Sequence, residues 1–220
     1  MGSIKFKGVI FDCDGTLVDT LGDLSHNMNA VLRSYGFPEL SEQSYREKLG
    51  WGLKKMALLS LPSDKRDDDL ADKLAHDLHY CYSKNPVGFT KPYPGILELV
   101  AELKRRKIKQ AVLTNKSDTA AQIVINTLFP SGSFDIIQGL TDSKPGKPDP
   151  AMAWDIMTNL DLSPRETVFA GDSEIDIQTA LNSGCHAVGV SWGYRSREEV
   201  LEAGAERIID KPEELLGLFE

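Results

Sequence analysis

This 220-residue chain is poor in the residues that build structural metal sites or disulfide frameworks, with only three cysteines and four histidines. Cys13, Cys81 and Cys185 are odd in number and show neither paired nor metal-ligand spacing, which points to a reducing compartment, the cytoplasm. No apolar run approaches the length of a membrane span, and no signal-peptide pattern opens the chain. A myristoylation signal would need Ser or Thr where Phe6 stands. Nor is there a basic stripe. Lys and Arg number 25 against 33 Asp and Glu, a net charge of -8, which argues against nucleic acid or an anionic membrane as partner. Any anionic ligand must therefore find a local cation or a metal. What remains is an ordinary balance, 41% hydrophobic and 26% charged, enough for one sizeable core with a small insert.

Against this background one segment stands out. Ile4 to Phe11 is an apolar run broken only by Lys5 and Lys7, and it reads as a strand buried on both faces. It runs into Asp12-Cys13-Asp14-Gly15, two carboxylates one residue apart with a glycine that lets the backbone turn. A buried strand that ends in acids delivers them to the carboxyl edge of a sheet, where open α/β folds bind ligands. Carboxylates resist burial unless paired or metal-bound. The pair therefore suggests a nucleophile or a metal cage, the plain alternative being a solvated Asp-Gly turn. Two further apolar strands end the same way: Gln110 to Leu113 runs into Thr114-Asn115-Lys116, and Thr167 to Ala170 runs into Gly171-Asp172-Ser173-Glu174-Ile175-Asp176. A lysine loop, Lys144-Pro145-Gly146-Lys147-Pro148-Asp149-Pro150, lies between them.

The pattern along the chain is a core with an interruption. Apolar residues at helical spacing mark Leu24 to Tyr35, Lys54 to Leu61 and Leu70 to Tyr82, with a further helix start near Ser41, and no strand is evident among them. After Tyr93-Pro94-Gly95, helices and strands alternate to the end of the chain. Such alternation demands a mostly parallel, doubly wound, Rossmann-like sheet. The expected division is a core of residues 1–19 and 93–220 and a helical insert of residues 20–92.

Taken in order, these four motifs resemble those of the haloacid dehalogenase superfamily of phosphohydrolases, and the resemblance extends over nearly the whole chain. It implies a four-helix cap in the insert and a magnesium-dependent phosphatase that works through an aspartyl-phosphate. Asp12 is then the nucleophile, and Asp14 protonates the leaving alcohol and later activates water. Thr114 and Asn115 bind phosphate, and a loop lysine holds nucleophile and phosphate together. Lys147 fits the family's Lys-Pro-x-Pro pattern better than Lys144. Asp172 completes the magnesium site with the Asp12 carboxylate and the Asp14 main-chain carbonyl, and Asp176 supports it from behind.

Within the superfamily the chain is most similar to the phosphoglycolate phosphatase group, through Asp14 to Thr20, Asp23-Leu24, Tyr93-Pro94-Gly95 and Trp192-Gly193-Tyr194. Pyrophosphate and sugar phosphates remain competing substrates, and a non-catalytic phospho-acceptor signalling domain is the alternative from another class. The mutase branch would have histidine at Leu24, and dehalogenases lack the acid at Asp14. The expected partner is a small phosphorylated metabolite, on a monomer or homodimer. Specificity is expected from the insert. There Gly50-Trp51-Gly52 reads either as a loop over the site or as an interhelical turn with a core tryptophan, and Lys54 or Lys55 is a candidate cation. Ser191 to Arg195 is open to two readings as well, an approach to the site or packing on the core.

Overall fold

The computed structural model describes residues 6–84 and 86–220. Strand β1 (Gly8–Phe11) is wholly buried, with Val9 and Phe11 facing one apolar cluster and Ile10 the other. Side chains alternate in the same way on β4 (Lys109–Ser117) and β6 (Thr167–Gly171), where Val112, Val168 and Ala170 oppose Ala111, Leu113 and Phe169. A strand with apolar residues at both parities must be covered on both faces, which is why the sheet is central. With β5 (Ile136–Leu140), β7 (His186–Val190) and β8 (Arg207–Ile209) it forms one six-stranded sheet in the order β5-β4-β1-β6-β7-β8. Every pairing in it is parallel.

Helices α5 (Ile96–Arg105) and α6 (Asp118–Leu128) bury their apolar faces on one side of the sheet. Helices α7 (Ala151–Leu160), α8 (Glu174–Ser183) and α9 (Arg197–Glu202) bury theirs on the other. Strand order reverses at β1, so its carboxyl end, flanked by those of β4 and β6, is the natural binding crevice. The strand expected from Ile4 begins at Gly8, and Ile4 and Lys5 themselves lie outside the described residues.

Four α-helices follow β1: α1 (Leu21–Ser34), α2 (Glu42–Tyr45), α3 (Leu53–Ser60) and α4 (Asp68–Lys84). They share an apolar cluster of their own, with Met28, Leu32, Tyr45, Met56, Leu74, Leu78 and Tyr82 at its centre. The chain enters and leaves them through a feature absent from the sequence reading, an antiparallel pair of two-residue strands, β2 (Val18–Asp19) and β3 (Lys91–Pro92). Buried Asp23, in the first turn of α1, ties the two crossings together. Its Oδ2 accepts from Phe89 N, Thr90 N and Thr90 Oγ1 at 2.9, 2.8 and 2.6 Å. Among the described residues no helix is long and apolar enough to cross a membrane.

Candidate active site

Asp12 is the first residue past β1, and its N–H extends the ladder to Ala170 O at 2.9 Å. The chain then turns at Gly15, whose φ of 94° is unfavourable for a residue with a side chain. A Cβ there would also lie 2.4 Å from Asp172 Oδ2. Gly193 approaches the same side chain, and a Cβ on it would fall 2.2 Å from Asp172 Cβ. Asp172 is thus packed between two bare backbones. Its Oδ1 accepts from Thr16 Oγ1 at 3.2 Å and its Oδ2 from Tyr194 N at 2.7 Å.

The Lys147 ammonium is buried between two carboxylates, 2.5 Å from Asp12 Oδ1 and 2.6 Å from Asp176 Oδ1. Lys144 instead pairs with exposed Asp155, so only Lys147 reaches the crevice. Asp176 has a second task, because its Oδ2 accepts from Ser173 N and Ser173 Oγ and closes a capping box on α8. Carboxylate oxygens of Asp12, Asp172 and Asp176 lie within 4.8 Å of one another, with all three residues buried. Asp176, expected behind the acidic cluster, stands in it.

Three buried acids around one ammonium are under-neutralised. Burial and then the charge of Asp176 push the Asp12 carboxyl well above its ordinary range, and Lys147 offsets only part of this. Burial and Asp176 likewise raise Asp172 to about 7, against the Tyr194 N–H and Arg195. Burial pulls Lys147 down, but Asp12 and Asp176 outweigh it and the net shift is upward.

Strand β4 supplies the next side. Its register against β5 slips between Leu113 and Ser117, where four steps on β4 oppose two on β5. Such an irregularity re-aims side chains at a strand end, and it delivers Thr114, Asn115 and Lys116 to the crevice. Thr114 is buried and lines the pocket, its Oγ1 accepting only from Lys116 N at 3.2 Å. Asn115 departs from its expected role as a phosphate ligand. Its Nδ2 donates to Gly50 O at 3.1 Å and Lys147 O at 3.0 Å, and its Oδ1 accepts from Lys147 N at 2.8 Å. With the whole amide engaged, Asn115 brackets the lysine loop to the helical segment. The Asp14 carboxylate turns to Lys116, whose ammonium lies 3.1 Å from Asp14 Oδ1.

The loop at Gly50 to Gly52 does reach the site, with both glycines lining the pocket. Trp51 does not. It is 42% exposed, with Nε1 donating to Glu174 at 3.2 Å, so it is not a core residue and does not line the pocket. Lys54 is also exposed and pairs with Asp72 at 2.8 Å, away from the pocket. The segment Ser191 to Arg195 takes the first of its two readings. Besides Tyr194 N on Asp172, buried Arg195 donates to the carbonyls of Arg46, Glu47 and Leu49, while Arg46 donates to Gly193 O. Three residues that line the pocket escaped the sequence reading: Lys116, Tyr82 and Ser117. Of these Lys116 carried a signal, as a cation two residues past the strand-end hydroxyl.

The chain is similar to known proteins along nearly its whole length. The family model described as haloacid dehalogenase-like hydrolase matches residues 9–190. A phosphoglycolate phosphatase of Nitrosospira multiformis is 28% identical over 99% of this chain and 97% of its own length. One from Pseudomonas savastanoi pv. phaseolicola is 30% identical over 96% of this chain and 78% of its own. A crystal structure from Lactobacillus delbrueckii subsp. bulgaricus, described provisionally as a phosphoglycolate phosphatase, superposes with a TM-score of 0.91 at 29% identity, covering 98% of each chain. Four motifs on one crevice, and a family match that spans all of them, make this chain an enzyme of the haloacid dehalogenase-like hydrolase family.

Proposed function

We propose that this hydrolase is a magnesium-dependent phosphatase of small phosphate monoesters, with 2-phosphoglycolate as substrate and an aspartyl-phosphate at Asp12 as intermediate. The observation that carries the reading is the Lys147 ammonium seated against Asp12 at 2.5 Å, with Thr114 on the same pocket wall. A carboxylate attacks an anionic phosphate only where cations offset the repulsion. Lys147 meets that need from one side and fixes the Asp12 rotamer for attack. In the first step an Asp12 oxygen bonds to phosphorus, the ester P–O bond breaks, and Asp14 gives its proton to the departing oxygen. In the second step Asp14 takes a proton from water as that water attacks the acyl phosphate, releasing phosphate and restoring Asp12.

The donor set fits a hard divalent cation. Every candidate ligand is an oxygen, and the buried carboxylates of Asp12, Asp172 and Asp176 lie together with one ammonium, Lys147, between two of them. The bare backbones of Gly15 and Gly193 leave the Asp172 carboxylate uncrowded by side chains. Asp12 and Asp172, with the Asp14 carbonyl, would hold the ion, and Asp176 would steady Lys147 beside it. When bound, magnesium supplies the charge neutralisation and orientation that phosphoryl transfer requires. The helical segment between β2 and β3 serves as the cap that excludes water, since Leu24, Leu53, Met56 and Tyr82 roof the pocket.

Curated relatives that carry the phosphoglycolate phosphatase name along nearly the whole chain support this choice of substrate. The test is phosphate release from a panel of esters, with kcat/KM measured with magnesium and with a chelator. A metal-dependent preference for 2-phosphoglycolate is expected. A flat profile, or preference for pyrophosphate or a hexose phosphate, would retire that substrate. No turnover of any ester would overturn the phosphatase itself.

A further inference from the structure

Lys116 is a buried lysine whose charge the phosphoryl chemistry above does not use. It is only 8% exposed, yet it lines the same pocket as Asp12 and Thr114. Its ammonium donates one directed hydrogen bond, to the Tyr82 hydroxyl at 2.9 Å, and stands 4.5 Å over the Tyr82 ring. Tyr82 belongs to α4 of the helical segment and donates in turn to Pro86 O at 3.3 Å. The other neighbour is Asp14 Oδ1, 3.1 Å away, which nevertheless receives no directed hydrogen bond. An ammonium carries three donors, so Lys116 retains capacity toward the cavity. Beside it, Ser117 Oγ is buried, lines the pocket and has no hydrogen-bond partner. Ser117 is also the first flanking residue of α6, so the positive end of an 11-residue helix opens at the same spot.

A buried cation with spare donors, an unpartnered hydroxyl and a helix N-terminus form a receptor for an anion. We infer that Lys116 and Ser117 receive the carboxylate of the substrate, and that they select phosphate esters of short 2-hydroxy acids. The inference rests on the phosphatase reading and follows from where Asp14 must work. The general acid touches the ester oxygen, and in an ester of a 2-hydroxy acid the carboxylate carbon is two bonds from that oxygen. An ammonium 3.1 Å from Asp14 is therefore within reach of that carboxylate while Asp14 holds the leaving oxygen. Tyr82 sets the ammonium in place from the roof, so the receptor is complete only when cap and core are together.

Of the other cations lining the pocket, Lys147 is bound by Asp12 and Asp176 and Arg195 by Glu174 and three carbonyls, while Lys48, more exposed than Lys116, is held by Ser44 O. One shared ammonium with one hydroxyl suits a monoanion. A second phosphate would bring more charge than these donors match, which disfavours pyrophosphate and bisphosphates.

The experiment compares kcat/KM for 2-phosphoglycolate and 2-hydroxyethyl phosphate, its carboxylate-free counterpart, in the same protein preparations. The wild type should favour the carboxylate ester by at least about tenfold, the worth of a charge-assisted hydrogen bond. In Lys116→Met that ratio should fall towards one, and Ser117→Ala and Tyr82→Phe should lower it part-way. A Lys116 that merely positions Asp14 would slow both esters equally and leave the ratio unchanged, which would overturn the inference. So would a wild-type ratio near one. If Lys116→Met does not fold, the ratios in Ser117→Ala and Tyr82→Phe decide, and an unchanged ratio in both refutes the assignment. Hydrolysis of neither ester, nor of any aryl phosphate, would instead bring down the phosphatase reading and this inference with it.

Discussion

Replacing Asp12 by Asn should abolish turnover and, in the absence of divalent metal, make the protein more stable. The amide is nearly isosteric with the carboxylate but is a poor nucleophile, so loss of activity needs no change of fold. The gain in stability follows from the charges. Burial and the neighbouring acids Asp176 and Asp172 work against the Asp12 carboxylate, and its one favourable partner, Lys147, does not compensate. Breaking a buried ion pair costs about 3–5 kcal/mol when it strands a charge. Here it does not, because Lys147 keeps Asp176 at 2.6 Å.

Each unit by which folding raises the Asp12 pKa represents about 1.4 kcal/mol of strain in the ionised form. In a domain of this size 1 kcal/mol shifts Tm by about 2–4 °C. Asp12→Asn should therefore melt above the parent in chelator at mildly alkaline pH. The sign follows from linkage. A carboxyl with a raised folded pKa contributes its full stability below its ordinary value of 3.8 and loses it as pH rises through the folded value. The amide does not titrate, so the two melting curves should converge near that acidic limit and separate as pH rises. Magnesium at about 100 times its Kd should add about 2.7 kcal/mol to the parent, less to the variant, and so close or invert the gap. Differential scanning calorimetry across pH, with and without magnesium, measures all of this. A variant less stable than the parent in alkaline chelator, or a gap that ignores pH, would refute the reasoning.

Three other outcomes are expected. Asp14→Asn should slow hydrolysis by about a hundredfold or more, and a labelled phospho-enzyme should accumulate with esters of good leaving groups; quench-flow with no trapped species on any ester would count against the role. Asp172→Ala should raise the magnesium requirement steeply in a titration of activity, whereas Asp176→Ala should act mainly through the freed Lys147 and the lost cap on α8. That cap alone is worth about 1 kcal/mol of stability, so an Asp176 variant with unchanged Tm and unchanged kcat would contradict both tasks. Asn115→Ala should raise KM and sensitivity to proteolysis in the Gly50 loop, because the bracket between loop and lysine segment is gone; a variant with parental KM and cleavage pattern would show that the bracket is dispensable.

The core was legible because its signals are local. A fully apolar strand has to be covered on both faces, and residues placed just past it have to lie at a sheet edge, so Asp12, Thr114 and Asp172 could be placed at one edge from order, while Lys147 came from the resemblance to the family's lysine motif. Helix ends followed similar cues, as when the chain leaves α8 through Gly184 in a left-handed conformation. What sequence reasoning missed depends on pairs distant along the chain. Strands β2 and β3 are two residues each, and nothing in Val18-Asp19 announces Lys91-Pro92 as its partner. The slip in β4 makes Asn115 a bracket and frees Lys116 for the pocket, and no residue count in 113–117 reveals it. Trp51 misled for the opposite reason, since an aromatic between two glycines attracts attention although its ring turns to Glu174 and solvent.

The same charge balance bears on metal and substrate together. Asp12 and Asp176 share the one ammonium of Lys147, with Asp172 beside them, so a phosphate dianion entering at Asp12 meets acids that are only partly neutralised. Without a divalent ion the protein relieves their mutual repulsion by holding protons, as the raised Asp12 and Asp172 carboxyls indicate. Burial and Asp176 raise Asp172 to about 7, so affinity for a cation held there is expected to rise with pH, which a magnesium titration across pH would check. Under the proposed mechanism Asp12 and Asp172 would hold the cation, which would supply the positive charge that a phosphate needs beside these acids. Tyr82, on the last helix of the segment between β2 and β3, would then hold Lys116 toward the charge that remains on the proposed substrate.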